Sequence, residues 1–187
     1  DGIEFTGCLY SCPAGTYGNA TDFTNAECSG LCFPGHYCPA GTATPTPCPV
    51  GTYLPVTGGG SETSCLPCIP GTYSDALGSS ADGCAPCAAG SFSSTLRAAS
   101  CDPCPVGGYC ESEGAASASM AFTPCPAGTY NEQTGASDDA SCVPCPVGTA
   151  NPVPGSASAS VCIDCLPGSY ASATGAGICT LCEAGEW

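Results

Sequence analysis

The sequence predicts a small disulfide-rich repeat array, elongated and built from turns and short β-hairpins, with little or no helix. Three observations support this fold class. A Cys-x-x-Gly-x-aromatic motif recurs along the chain, cysteine supplies 20 of 187 residues, and 26 glycines and 19 prolines accompany only five Phe, one Trp and one Met. So few large apolar side chains cannot offset the conformational entropy of folding by packing alone. Disulfides in an oxidising compartment are the expected substitute.

The motif begins at ten cysteines, which define copies 1 to 10 of the repeat: Cys12, Cys32, Cys48, Cys68, Cys87, Cys104, Cys125, Cys145, Cys165 and Cys182. A glycine follows each cysteine by three residues. Nine copies carry an aromatic five residues after the cysteine, namely Tyr17, Tyr37, Tyr53, Tyr73, Phe92, Tyr109, Tyr130, Tyr170 and Trp187, whereas copy 8 has Ala150. Residues 8–187 are therefore predicted to be a tandem array, and residues 1–7 the tail of an upstream segment.

Each motif position has a predicted structural role. Proline fixes φ and the following glycine supplies the backbone freedom of a tight turn, so the chain is expected to reverse at each corner. The arms on either side can pair as a two-stranded hairpin, which is marginal alone. The aromatic is expected to lie against the neighbouring disulfide and the next turn, as the only large buried side chain of its copy.

A leading cysteine precedes most motif cysteines by three or four residues, which suggests how they pair. Copies 3 and 7 lack it, and the preceding copies carry an extra cysteine after their tyrosine, at Cys38 and Cys110. This compensation is what obligate pairing would produce. The favoured pattern treats most copies alike and leaves Cys8 and Cys182 for partners outside the chain. Its pairs are Cys12–Cys28, Cys32–Cys38, Cys48–Cys65, Cys68–Cys84, Cys87–Cys101, Cys104–Cys110, Cys125–Cys142, Cys145–Cys162 and Cys165–Cys179.

A second pattern stays open, in which four-cysteine modules have crossed bridges. In it Cys28 pairs with Cys38 and Cys32 with Cys48, and likewise Cys65 with Cys84 and Cys68 with Cys87. Sequence alone does not decide connectivity.

Two stretches carry a resemblance to a known repeat: Ser141-Cys142-Val143-Pro144-Cys145-Pro146-Val147-Gly148-Thr149 and Thr123-Pro124-Cys125-Pro126-Ala127-Gly128-Thr129-Tyr130. The pattern resembles the ephrin-receptor-like cysteine-rich repeat, over nearly the whole chain from Cys8 to Trp187. It is more distantly similar to tumour-necrosis-factor-receptor modules, whose crossed bridges support the second pairing. The resemblance implies an extracellular rod or stalk without catalytic residues.

Charge excludes several classes of partner. Sixteen acids face one base, Arg97, and the net charge of −15 disfavours nucleic acid and anionic membranes. No stretch approaches the roughly 18 to 20 apolar residues of a membrane span, so no insertion is expected in this segment. The chain starts without a methionine or a signal peptide and stops within copy 10, and we therefore expect it to be part of a longer secreted polypeptide.

Metal binding and catalysis are the rival interpretations. Cys65, Cys68, Cys84 and Cys87 have the spacing of a zinc ribbon, but the pattern continues beyond four cysteines and favours disulfides. His36, the only histidine, is interpreted as a surface turn residue. Asp138-Asp139 lacks the spacing of a calcium loop, although a weak calcium site between copies stays open. No catalytic, cofactor or metal residue is predicted, and the chain is not expected to be an enzyme.

Glycosylation is predicted at Asn19, within the sequon Asn19-Ala20-Thr21, and the Thr-Pro run suggests further sugars at Thr42, Thr44 and Thr46. The predicted function is structural: part of an extracellular filament, appendage or surface coat that carries glycans and self-associates. The alternative is a ligand-binding or spacer stalk in the ectodomain of a membrane receptor.

Overall fold

A computed structural model describes residues 11–18, 28–81, 83–183 and 185. Within these ranges the chain forms nine antiparallel hairpins, each made of two strands of two or three residues. The pairs are β1 (Thr16–Tyr17) with β2 (Gly30–Leu31), β3 (His36–Tyr37) with β4 (Thr46–Pro47), β5 (Thr52–Tyr53) with β6 (Leu66–Pro67), β7 (Thr72–Tyr73) with β8 (Ala85–Pro86), β9 (Ser91–Phe92) with β10 (Asp102–Pro103), β11 (Gly108–Cys110) with β12 (Phe122–Pro124), β13 (Thr129–Tyr130) with β14 (Val143–Pro144), β15 (Thr149–Ala150) with β16 (Ile163–Asp164), and β17 (Ser169–Tyr170) with β18 (Thr180–Leu181). The predicted class, a disulfide-rich repeat of short hairpins, is confirmed.

Helix is confined to single turns in the part of the chain that the structure describes. These turns are α1 (Ala118–Ala121) and the 3₁₀ segments Glu62–Ser64, Asp139–Ser141 and Ala159–Val161. Each 3₁₀ turn ends at a leading cysteine, whose N–H donates to the carbonyl of the first residue of the turn at 3.0–3.1 Å. The turns therefore position Cys65, Cys142 and Cys162 for their disulfide bonds.

Copy 7 shows why the motif makes a corner. Gly128 has a φ of 87°, a left-handed conformation that glycine adopts without penalty. The hydroxyl of Thr129 donates to the carbonyl of Pro126 at 2.8 Å and closes the turn. The same side-chain bond, at 2.6–2.8 Å, recurs at Thr16, Thr52, Ser91, Thr149 and Ser169. This bond accounts for the hydroxyl residue that follows the motif glycine in most copies.

Backbone hydrogen bonds join each copy to the next. The N–H of each motif cysteine from Cys32 to Cys182 donates to the motif-glycine carbonyl of the preceding copy at 2.8–2.9 Å. From Gly15 to Gly148, each motif-glycine N–H donates at 2.7–2.9 Å to the residue after the aromatic position in the following copy. We call this repeating set the backbone ladder. It satisfies polar groups that hairpins of two residues would leave unpaired.

The buried side chain of the hairpin is the one that follows the aromatic position. The residue at that position is buried in all nine described copies: Gly18, Cys38, Leu54, Ser74, Ser93, Cys110, Asn131, Asn151 and Ala171. The aromatics themselves are only half-buried, and Tyr170 is exposed. The expectation that the aromatic is the large buried side chain of each copy is therefore wrong. The buried residue lies just beyond the end of the strand in every described copy except copy 6.

The chain divides into two compact units. Unit 1 comprises Asp1–Ile69, Tyr73–Ala85 and Leu96–Ser100, and unit 2 comprises Pro70–Thr72, Pro86–Thr95 and Cys101–Trp187, each within the described ranges. The core of unit 1 includes Cys48, Leu54 and Cys65. The core of unit 2 includes Cys104, Cys110, Ala115 and Ala121. Both cores are centred on disulfides.

Candidate functional site

Nine disulfides cross-link the described residues, with Cα atoms 5.5–6.0 Å apart. The structure brings together Cys12–Cys28, Cys32–Cys38, Cys48–Cys65, Cys68–Cys84, Cys87–Cys101, Cys104–Cys110, Cys125–Cys142, Cys145–Cys162 and Cys165–Cys179. These are the pairs of the favoured pattern, in which each motif cysteine bonds to the next cysteine along the chain. We call it the sequential pattern, in contrast to the pattern with crossed bridges. Cys182 is unpaired among the described residues, and Cys8 lies outside them.

The cysteines with zinc-ribbon spacing are distributed over three different bridges, in which Cys65, Cys68 and Cys87 are bonded to Cys48, Cys84 and Cys101. A cysteine sulfur that forms a disulfide is not a thiolate, so it cannot be a zinc ligand of the zinc-ribbon kind. Across the described ranges, no group of three or more His, Cys, Asp or Glu side chains is arranged to hold a metal ion.

The aromatics form a repeated contact between consecutive copies. Tyr37 packs on the cluster of Cys48, Leu54 and Cys65 in copy 3, and Phe92 packs on the cluster around Cys104 and Cys110 in copy 6. In these two copies the aromatic therefore packs on the buried cluster that contains the disulfide of the next copy. We call this arrangement the ring-on-disulfide contact.

Buried asparagines occupy the position after the aromatic in copies 7 and 8. Asn131 donates to the carbonyl of Gly108 at 2.9 Å, and its Oδ1 accepts the N–H of Gln133 at 2.9 Å. Asn151 bonds in the same way to Thr129 and Val153, and also to the hydroxyl of Ser156 at 3.0 Å. Sequence analysis missed both, because no residue type marks this position.

Acidic groups gather around one tyrosine of copy 6. The pKa of the Tyr109 phenol is raised above its ordinary value, because partial burial and the carboxylates of Glu111, Asp139 and Asp138 disfavour the phenolate. Asp138 precedes the 3₁₀ turn Asp139–Ser141 and accepts from the hydroxyl of Ser137 at 3.4 Å. The group is a negatively charged surface without the convergent oxygens of a calcium loop.

The one base occupies a strained position. Arg97 has a φ of 63°, and it is the one non-glycine residue with positive φ in the described ranges. Its N–H donates to Cys68 at 3.0 Å, a bond that glycines such as Gly58 and Gly78 make in other copies. Its guanidinium lies 3.7 Å from Glu62, with both side chains about half exposed. Such a surface pair contributes little stability.

His36 lies within strand β3 and is half-buried, so the interpretation as a surface turn residue is wrong. Its Nδ1 is 3.3 Å from the carbonyl of Pro34, and its ring centroid is 4.2 Å from that of Phe33. These contacts give it a packing role.

The predicted glycosylation residues differ in their surroundings. Asn19 lies outside the described residues. Thr44 and Thr46 are exposed, whereas Thr42 is half-buried and its hydroxyl donates to Pro39 at 2.6 Å. Thr44 and Thr46 are therefore more accessible than Thr42.

The fold and its bridges define the chain as a small disulfide-rich repeat protein. Residues 79–120 and 123–162 match the family model described as tyrosine-protein kinase ephrin type A/B receptor-like. These two tandem segments are similar to that family of cysteine-rich repeats, and the resemblance stated from the sequence is confirmed there. The matched segments are short hairpins cross-linked by disulfides.

A search of curated proteins found no match to the chain. In the described ranges, the helices are all too short and too polar to cross a bilayer.

Proposed function

We propose that this chain is a structural module of an extracellular protein, a stretch of a filament, appendage or surface coat held in the sequential disulfide pattern. The observation that carries the proposal is the backbone ladder, which repeats the same bonds in copy after copy while the side chains change. A fold maintained by its backbone and its bridges tolerates variation in the exposed segments. The disulfides and the family match support an extracellular or cell-surface location.

Exposed aliphatic side chains support self-association as part of this function. Ile69, Leu77, Leu96 and Leu181 are all at least 60% exposed. The charge of −15 opposes contact between copies of the chain at low ionic strength, and salt screens that repulsion. Assembly is therefore expected to depend on salt, with glycans on the exposed hydroxyls setting the spacing between chains.

Sedimentation and negative-stain microscopy of the purified chain at about 10 mM and about 500 mM salt test the proposal. We expect monomers at low salt and ordered, unbranched assemblies at high salt. Peptide mapping without reduction tests the pairing in the same sample, and a Cys65–Cys84 peptide would exclude the sequential pattern.

The second candidate function is a spacer or ligand-binding stalk of a receptor ectodomain. The match of residues 79–120 and 123–162 to a receptor-derived family favours it. This candidate predicts that the chain stays monomeric at every salt concentration, and that the gene encodes a membrane span and a cytoplasmic domain beyond this segment. Finding both would overturn the filament proposal.

A further inference from the structure

A cavity of about 300 Å³ opens beside Ala150 in unit 2. Its walls include Ala150, Ile163, Leu166, Ile178 and Cys179. Ile163, Leu166 and Ile178 are 65%, 77% and 77% exposed, which is unusual for aliphatic side chains that face one another. The cavity is therefore an apolar recess that is open to solvent.

The ring-on-disulfide contact indicates what this recess is shaped to hold. In two other copies the aromatic packs on the cluster that contains the disulfide of the following copy, as Tyr37 and Phe92 do. The ring of Tyr17 also meets Phe33, the residue after the next motif cysteine, edge to face at 6.3 Å. The expected neighbours of a ring at position 150 are therefore Cys165–Cys179 and Leu166.

Those neighbours are the walls of the recess. Ala150 occupies the aromatic position, Cys179 belongs to the disulfide of copy 9, and Leu166 corresponds to Phe33. The methyl group of Ala150 is much smaller than the aromatic ring that the other described copies carry at this position. The backbone around it is unchanged, because Cys165 donates to Gly148 at 2.9 Å as in the rest of the ladder.

We propose that copy 8 binds an aromatic side chain of a partner polypeptide, inserted at the ring-on-disulfide position that Ala150 leaves empty. The partner is a basic segment, with lysine or arginine beside the aromatic. Asp164 lines the recess, and the chain carries sixteen acids against one base. A partner of positive charge is therefore attracted to this surface, whereas a second copy of the chain is repelled from it. The site is independent of whether the chain builds a filament or a stalk.

Methyl NMR of the full 187-residue chain tests the proposal with three acetylated and amidated tripeptides: Lys-Tyr-Lys, Lys-Ala-Lys and Glu-Tyr-Glu. We expect Lys-Tyr-Lys to shift the methyl signals of Ile163, Leu166 and Ile178 saturably, with a Kd on the order of 1 mM, as suits one ring in a shallow recess. The other two tripeptides are expected to bind at least about tenfold more weakly, because one lacks the ring and the other has the wrong charge.

Variants separate this site from general adhesion. Ala150→Tyr fills the recess and is expected to abolish the shifts, whereas Ala157→Tyr, at an exposed alanine of the same copy, is expected to leave them intact. Leu166→Asn removes one wall without filling the recess and is expected to weaken binding about fivefold. It keeps the test valid if Ala150→Tyr disturbs the fold.

Three results would overturn the proposal. The first is equal binding of Lys-Ala-Lys, and the second is binding that survives in both site variants. The third is a shift of the methyl signals that grows with protein concentration in the absence of peptide and disappears in Ala150→Tyr. It would show that the recess is occupied by a second molecule of this protein.

Discussion

Copies 7 and 8 have the same backbone and differ at the side chain that the repeat motif makes most conspicuous. Each closes a disulfide over a sequence separation of 17, each bonds its threonine hydroxyl to the corner, and each buries an asparagine. Copy 7 has Tyr130 where copy 8 has Ala150. The aromatic is therefore dispensable for the fold of a copy, and its position is open to other uses.

The largest expected effect tests whether the disulfides maintain both copies equally. Replacing Cys125 and Cys142 by serine, or Cys145 and Cys162 by serine, is expected to cost about 3 kcal/mol in the free energy of unfolding, because the loops have equal length. Native-state hydrogen exchange at the amides of Cys145 and Cys165 measures the local loss.

The short bridge Cys104–Cys110, with a sequence separation of 6, is the control for this experiment. Its removal is expected to cost about 1 kcal/mol less than removal of a long bridge, because it restricts the unfolded chain less. A much greater loss of unfolding free energy on removal of the copy 7 disulfide than of the copy 8 disulfide would show that Tyr130 is essential for the fold of its copy.

The next effect distinguishes the corner glycines of the two copies. An added Cβ at Gly128 would overlap the carbonyl oxygen of Gly175, whereas one at Gly148 meets no described residue within 4 Å. Both glycines have a positive φ. Gly128→Ala is therefore expected to cost about 3 kcal/mol and Gly148→Ala about 1 kcal/mol. Thermal unfolding of the two variants gives the order, and equal costs would contradict the close approach at Gly128.

The buried asparagines are expected to contribute a smaller, similar amount in each copy. Asn131→Ala and Asn151→Ala each leave backbone groups of the turn without partners, at about 2 kcal/mol per substitution. Asn151→Ala should cost slightly more, because the Ser156 hydroxyl also loses the donor Asn151 and keeps only its own bond to Val153. Urea unfolding checks both variants, and a loss below about 0.5 kcal/mol would show that water replaces the amide.

The smallest effect concerns the aromatic position itself. Tyr130→Ala removes a half-buried ring and is expected to cost about 1 kcal/mol, whereas Ala150→Tyr is expected to stabilise copy 8 by about 0.5 kcal/mol. Midpoints of thermal unfolding should move in opposite directions. Destabilisation by Ala150→Tyr would show that the recess does not have the shape of a ring.

Sequence reasoning predicted the elements that depend on residue type. Glycine, proline and threonine specify the corner locally, so the hairpin at Gly128 could be predicted from its own copy. The position after the aromatic could not, because glycine, leucine, cysteine, serine, asparagine and alanine all occur there. Its burial comes with backbone hydrogen bonds to the neighbouring copies. Contacts two copies apart, such as Gly128 with Gly175, have no signal in either segment alone.

In the sequence, the recess beside Ala150 is marked only by a departure from the repeat motif. Ala150 breaks the aromatic pattern, but the cavity depends on Leu166 and Ile178, which the motif does not constrain. Predicting the cavity requires knowing that the aromatic of one copy lies on the disulfide of the next.

The displaced cysteines have a consequence for the integrity of the chain once a peptide bond is cut. Most variable segments lie inside a disulfide ring, so a protease that nicks one of them leaves both new ends covalently attached. Cys32–Cys38 and Cys104–Cys110 each span a sequence separation of only 6. The segments 39–47 and 111–124 that follow them therefore lie outside any disulfide ring. A single cut there severs the polypeptide. Met120, 79% exposed, marks one such point, and sugars at Thr44 and Thr46 would shield the other.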